Sequence, residues 1–170
     1  MGASARAGAM PAIARRASAL LVLAAVLLAA FPADAAEEAA APPAPAGKVK
    51  RSEGSVSVDH AGQTQPLPVG SPVFVGDRIR TGSDAAVGVT LSDDTLLTAG
   101  PNSTLLINEF EFNSTTEEGS LLATLVKGTL SVVTGLIAKQ APEKVQFKTP
   151  NVVLGVRGTE FIIETRGEGQ

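Results

Sequence analysis

Residues 69–91 read VGSPVFVGDRIRTGSDAAVGVTL, and the fold turns on how this stretch is read. Gly70, Gly76, Gly82 and Gly88 recur every six residues. Val73, Ile79 and Ala85 fall three places after the first three of them. That spacing imitates the hexapeptide coils of a β-helix, an architecture used by some acyltransferases. The same residues also read as short strands: Val73-Phe74-Val75 and Val87-Gly88-Val89-Thr90-Leu91 are β-formers broken by turn glycines. The coil pattern lasts only 24 residues and breaks at Asp93-Asp94, whereas a solenoid needs several stacked coils to close a core. Separate strands are therefore the better reading.

The strand pattern continues on both sides. Val56-Ser57-Val58, Leu105-Leu106-Ile107, Thr129-Leu130-Ser131-Val132-Val133, Val145-Gln146-Phe147 and Glu160-Phe161-Ile162-Ile163-Glu164 are rich in β-branched and aromatic residues. Beyond residue 47 no segment keeps a 3.6-residue period for ten residues. The best helical candidate, Leu121 to Val126, is closely bracketed by Gly119 and Gly128. The expected fold is all-β: one domain of about ten short strands, sandwich-like or a short solenoid-like roll. Several strands follow a Gly-Ser or Gly-Thr pair, at Gly54, Gly70, Gly82, Gly119, Gly128 and Gly158, which is turn chemistry.

The N-terminal third is different. Arg6, Arg15 and Arg16 are the only charged side chains before Asp34, and Ala19–Phe31 is an unbroken apolar run of 13 residues. Ala33-Asp34-Ala35 then supplies a small-x-small site. Basic start, apolar middle and such a site describe a secretory signal peptide, residues 1–35. As a helix the run would span roughly 20 Å, short of a hydrocarbon core roughly 30 Å thick. Residues 36–47, AEEAAAPPAPAG, hold no large apolar side chain and read as an Ala/Pro-rich linker. The strand-rich domain is expected over 48–164, with residues 165–170 as a C-terminal tail.

Composition narrows the chemistry. The 170 residues include no Cys, Trp or Tyr and one His, His60, and carry a formal net charge of −3. This excludes disulfides, thiolate nucleophiles and Cys-ligated metals, and no global basic field calls for nucleic acid. No nucleophile–base pair stands out. No catalytic, cofactor or metal residue is assigned. His60, before Ala61-Gly62, reads as an exposed hairpin-loop residue. Asp93-Asp94 lacks calcium-loop spacing and reads as a solvated turn. Phe110 and Phe112, alternating with Glu109 and Glu111, read as a core-facing edge.

The order of motifs resembles the FecR domain family, from about Lys48 to Ile163. Gly54-Ser-Val-Ser-Val58 comes first, then Gly76-Asp77 to Thr81-Gly82, similar to the family's GD-x-I-x-TG element. Asp93 with Pro101, Asn102 and Ser103 follows, similar to its Asp-Gly-Thr…Pro-Asn-Ser stretch. Gly128 and Thr149-Pro150 come next, and Arg157-Gly158-Thr159 with Phe161 looks like the closing RGT-x-F signature. One departure is Asp94, where the family has Gly. The turn should survive, because Asp tolerates left-handed φ better than most residues. Asp77 is expected to fix a turn, and Arg157 to organise loops. The resemblance implies a free-standing, exported, non-enzymatic module in a sensing or signalling role. Its partner would be an envelope protein or cell-wall glycan, with no nucleic acid and no stable membrane span after cleavage. A hexapeptide-like or other envelope enzyme, or a purely structural envelope protein, are the alternatives.

Overall fold

The computed structural model describes residues 43–156 and 158–167. The expected signal peptide, most of the linker and Arg157 lie outside them. No helix among the described residues is long and apolar enough to cross a membrane.

Among the described residues twelve strands form: β1 Gly47–Glu53, β2 Val56–His60, β3 Gln63–Pro66, β4 Pro72–Val73, β5 Arg78–Thr81, β6 Ala86–Leu91, β7 Leu96–Ala99, β8 Thr104–Phe112, β9 Gly119–Val133, β10 Val145–Lys148, β11 Val153–Gly155 and β12 Glu160–Thr165. They make one sheet, curled into a half-barrel, with the path β3-β2-β5-β8-β9-β7-β6-β1-β4. The fold is all-β, as the period-two pattern implies. Every pairing is antiparallel except β10 with β9. Stacked hexapeptide coils need parallel neighbours, so the six-residue glycine spacing has another cause. Gly70 and Gly76 turn the chain with φ of +89° and +91°, while Gly88 sits inside β6.

Strand β9 is the spine. One of its edges pairs first with β8 and then with β7. The other pairs with β10 and then β12. Its 15 residues exceed the short strands expected, because Gly128 bends it without ending it. The buried set shows the bend directly: Leu121, Ala123 and Leu125 are odd-numbered, Leu130 and Val132 even. A straight strand keeps one parity on one face. The change of parity across Val126–Gly128 lets both halves of β9 face the same core.

That core is a single apolar cluster. It includes Val49, Val73, Ile79, Val89, Leu97, Ile107, Leu125, Val132, Ile137 and Phe147. Phe110 and Phe112 are half-buried and pack against it. A short helix, α1 Leu136–Gln140, plugs one side with Ile137. Five residues are too few to display a helical period, and none was expected there.

The domain begins at the end of the stretch read as linker. Ala46 is buried and its amide donates to the Val73 carbonyl at 2.7 Å. Gly47 lies so close under β6 that a Cβ would sit 2.3 Å from the Thr90 carbonyl oxygen. Small residues here therefore serve packing. Thr165, at the other end, belongs to β12.

Candidate functional site

The residues singled out by sequence fall into separate clusters rather than one cleft. The largest lies where β7 hands over to β8 beside the bend in β9. Thr81 Oγ1 donates to the Gly100 carbonyl at 2.6 Å and accepts the Ser103 amide at 2.8 Å. The Gly82 carbonyl accepts the Asn102 amide at 2.9 Å, and Asn102 takes a left-handed φ of +52° in the turn that begins at Pro101. Ser103 Oγ accepts the Thr129 amide at 3.0 Å and faces the Thr129 carbonyl at 3.1 Å. Gly128, φ +94°, lies against it; a Cβ there would be 2.2 Å from Ser103 Oγ. Thr81, Gly82, Asn102, Ser103 and Gly128 thus form one clamp, though they span 48 positions of sequence.

Asp93 forms the second cluster. It is fully buried, which corrects the expectation of a solvated pair of carboxylates. Oδ1 accepts the Thr95 amide at 3.1 Å and Oδ2 accepts the Thr95 hydroxyl at 2.6 Å. Thr95 Oγ1 in turn accepts the Gly135 amide at 3.0 Å, and the Asp93 carbonyl accepts from Leu136 at 2.7 Å. The hairpin between β6 and β7 is thereby tied to the start of α1. Asp94 holds φ +65°, a left-handed conformation that Asp tolerates better than most residues.

Asp77 forms the third. Oδ2 accepts the Phe74 amide at 2.8 Å, closing the turn into β5. Oδ1 meets His60 Nδ1 at 2.5 Å. A carboxylate only accepts, so the ring proton facing it is on Nδ1. His60 also packs against the Phe74 ring, centroids 5.1 Å apart. The expectation of a free loop histidine is corrected: His60 ends β2, half-exposed, with a buried partner 17 residues away.

The remaining described residues lie outside these clusters. The Thr149 hydroxyl accepts the Val152 amide at 3.2 Å in the turn that contains Pro150. The Gly158 and Thr159 carbonyls face Thr134, whose amide donates to Thr159 at 2.8 Å. Phe161 meets Phe147 edge-on at 5.4 Å. Sequence reasoning missed Thr95, Thr129 and Gly135, which complete the clusters. Their partners lie 2 to 40 positions away, and only the short Asp93–Thr95 spacing was visible locally.

These clusters leave no buried side-chain polar atom without a partner. Among the described residues every buried side-chain nitrogen or oxygen has a hydrogen-bond partner. Nor do three His, Asp, Glu or Cys side chains converge there as a metal site would require. A shallow groove of about 270 Å³ runs past Gln65, Pro68, Phe74 and His60. A wider one of about 620 Å³ lies at the β8–β9 hairpin, beside Glu111, Phe112 and Lys144.

A family model described as FecR protein matches residues 77–170, more than half of the chain. The chain belongs to the FecR family. The match starts at Asp77, so β1 to β4, which the resemblance of motifs includes, precede it. FecR is a regulatory and signalling family whose members are associated with the cell envelope. A solved structure described as a cell surface anchoring domain is 31% identical over 36% of this chain and 82% of its own, with a TM-score of 0.35. A search of curated proteins finds no match.

Proposed function

We propose that this FecR protein is an exported, non-enzymatic module that binds an envelope protein or cell-wall glycan in a sensing or signalling role. One observation carries the reading. Among the described residues of the family signature, Thr81, Asp93, Asp77 and Ser103 spend their hydrogen bonds on backbone turns and strand switches, so ligand recognition is left to the surface. That surface offers apolar side chains near the C-terminal strands: Val133, Val152, Val153 and Ile162 are all exposed. Buried apolar area is the general driving force for association.

Residues 1–35 act as the signal peptide in this reading, with cleavage after Ala35. Mass spectrometry of the exported protein should find an N-terminus at or near Ala36. An intact Met1 held in the inner membrane contradicts it. The binding claim is tested by capture from envelope extracts alongside tagged cell-wall glycans. Specific, saturable enrichment of one class supports it. Failure of both to exceed background overturns it.

A further inference from the structure

A sheet edge exposes unpaired amides and carbonyls, and folded proteins usually blunt such edges with Pro, charged side chains (Lys above all) or short length. Three edges here are blunted. Strand β3 ends on Pro66, β4 has two residues and begins on Pro72, and β11 has three residues. Strand β12 is less so, its only charges being Glu160 and Glu164. It has six residues, Glu160–Thr165, with neither Pro nor Lys. It pairs with β9 on one side, and among the described residues no strand covers its other side.

The side chains of β12 alternate. Ile163 is buried and Phe161 packs inward on Phe147, while Glu160, Ile162 and Glu164 face out. Ile162 is 69% exposed, more than any other large apolar residue described. We propose that the free edge of β12 receives an extended segment of a partner protein as an added strand. That segment carries an apolar residue with Lys or Arg two positions to either side.

Charge complementarity selects the occupant. Residues directly opposite in an antiparallel pair share a face, and same-face neighbours along a strand are about 7 Å apart. An apolar residue opposite Ile162 therefore sets its i−2 and i+2 neighbours opposite Glu164 and Glu160. Basic side chains there gain two cross-strand ion pairs. The same geometry disfavours a second copy of this chain, since the register that sets Ile162 against Ile162 places Glu160 opposite Glu164 twice. Main-chain hydrogen bonds would supply affinity and the Glu-Ile-Glu face specificity.

This inference rests on the binding-module reading, and the test separates the two. The exported protein is titrated with the peptide Thr-Lys-Thr-Val-Thr-Lys-Thr and with its Lys→Glu counterpart, and amide exchange is followed along β12. The Lys peptide should bind and slow exchange of the outward β12 amides, and the Glu peptide should bind at least tenfold more weakly. The double variant Glu160→Lys/Glu164→Lys should invert that preference, and Ile162→Thr should weaken the Lys peptide. Binding of neither peptide, binding indifferent to the reversal, or concentration-dependent self-association through β12 overturns the proposal. Envelope capture undiminished in the double variant also overturns it, yet leaves the binding-module reading standing. Absence of capture by the wild type overturns that wider reading as well.

Discussion

Ser103 Oγ occupies the place that a side chain on Gly128 would need: a Cβ built there lies 2.2 Å from that oxygen and 2.5 Å from Ser103 Cα. The two residues meet where β9 changes partners from β8 to β7. The contact explains why the bend requires glycine twice over, for its φ of +94° and for its lack of bulk.

Gly128→Ala should therefore cost more than a positive φ alone. Left-handed conformations cost other residues about 1–3 kcal/mol. Gly158→Val is the comparison, since Gly158 has φ +134° but open space around its Cβ position. Urea denaturation should show Gly158→Val destabilised by about that amount. Gly128→Ala should lose more, or fail to fold. Equal losses would show that the Ser103 contact carries no weight.

Asp93→Ala should be among the most damaging polar substitutions. It removes the acceptor for both the amide and the hydroxyl of Thr95 in a fully buried setting. Unsatisfied buried donors cost about 1–3 kcal/mol each. Thr95→Val should also destabilise, because it strands an Asp93 oxygen and the Gly135 amide. A double-mutant cycle should give a coupling energy well above zero. Additive losses would contradict the network.

Asp77→Ala should cost about 1–3 kcal/mol, since the half-buried Phe74 amide loses a charged acceptor. His60→Ala should cost less, because His60 is 39% exposed and water can replace it at Asp77. Chemical denaturation of the two variants checks the order. A larger loss from His60→Ala would mean that its contact with the Phe74 ring dominates.

The exposed pair Arg51–Glu53 should contribute little. The hydrogen bond from Arg51 holds the Glu53 carboxyl below its ordinary range, and the same bond raises the guanidinium. A lowered carboxyl pKa stabilises above the ordinary carboxylate range, and that contribution is lost as the pH falls through the lowered value. Both side chains are exposed, so water and salt screen the pair. Glu53→Gln should leave the melting temperature at pH 7 unchanged. A clear drop would show that the pair anchors β1.

Much of the fold was legible because burial imposes a period of two. Val56 and Val58, and Val87, Val89 and Leu91, are buried as alternation requires. The bend was not legible. Val126-Lys127-Gly128-Thr129 looks like a strand start, and only its distant partner Ser103 reveals a strand passing through. His60 shows the same limit. Its turn, Ala61-Gly62, has positive φ as the residues suggest, but Asp77 arrives from another hairpin. The Asp94 turn was legible, since a single left-handed position is a local property. The β12 edge was invisible in sequence, because an unpaired strand has the same alternation as a paired one.

In the proposed reading, the described residues of the family signature build the fold and leave binding to the surface. Ser103→Ala tests it most directly, with thermal unfolding and envelope capture measured on the same purified protein. The melting temperature should fall by about 5–10 °C, from loss of about 2 kcal/mol in hydrogen bonds. Capture should be unchanged at temperatures where the variant is folded. An unchanged melting temperature with capture abolished would instead make Ser103 part of a binding site and overturn that reading.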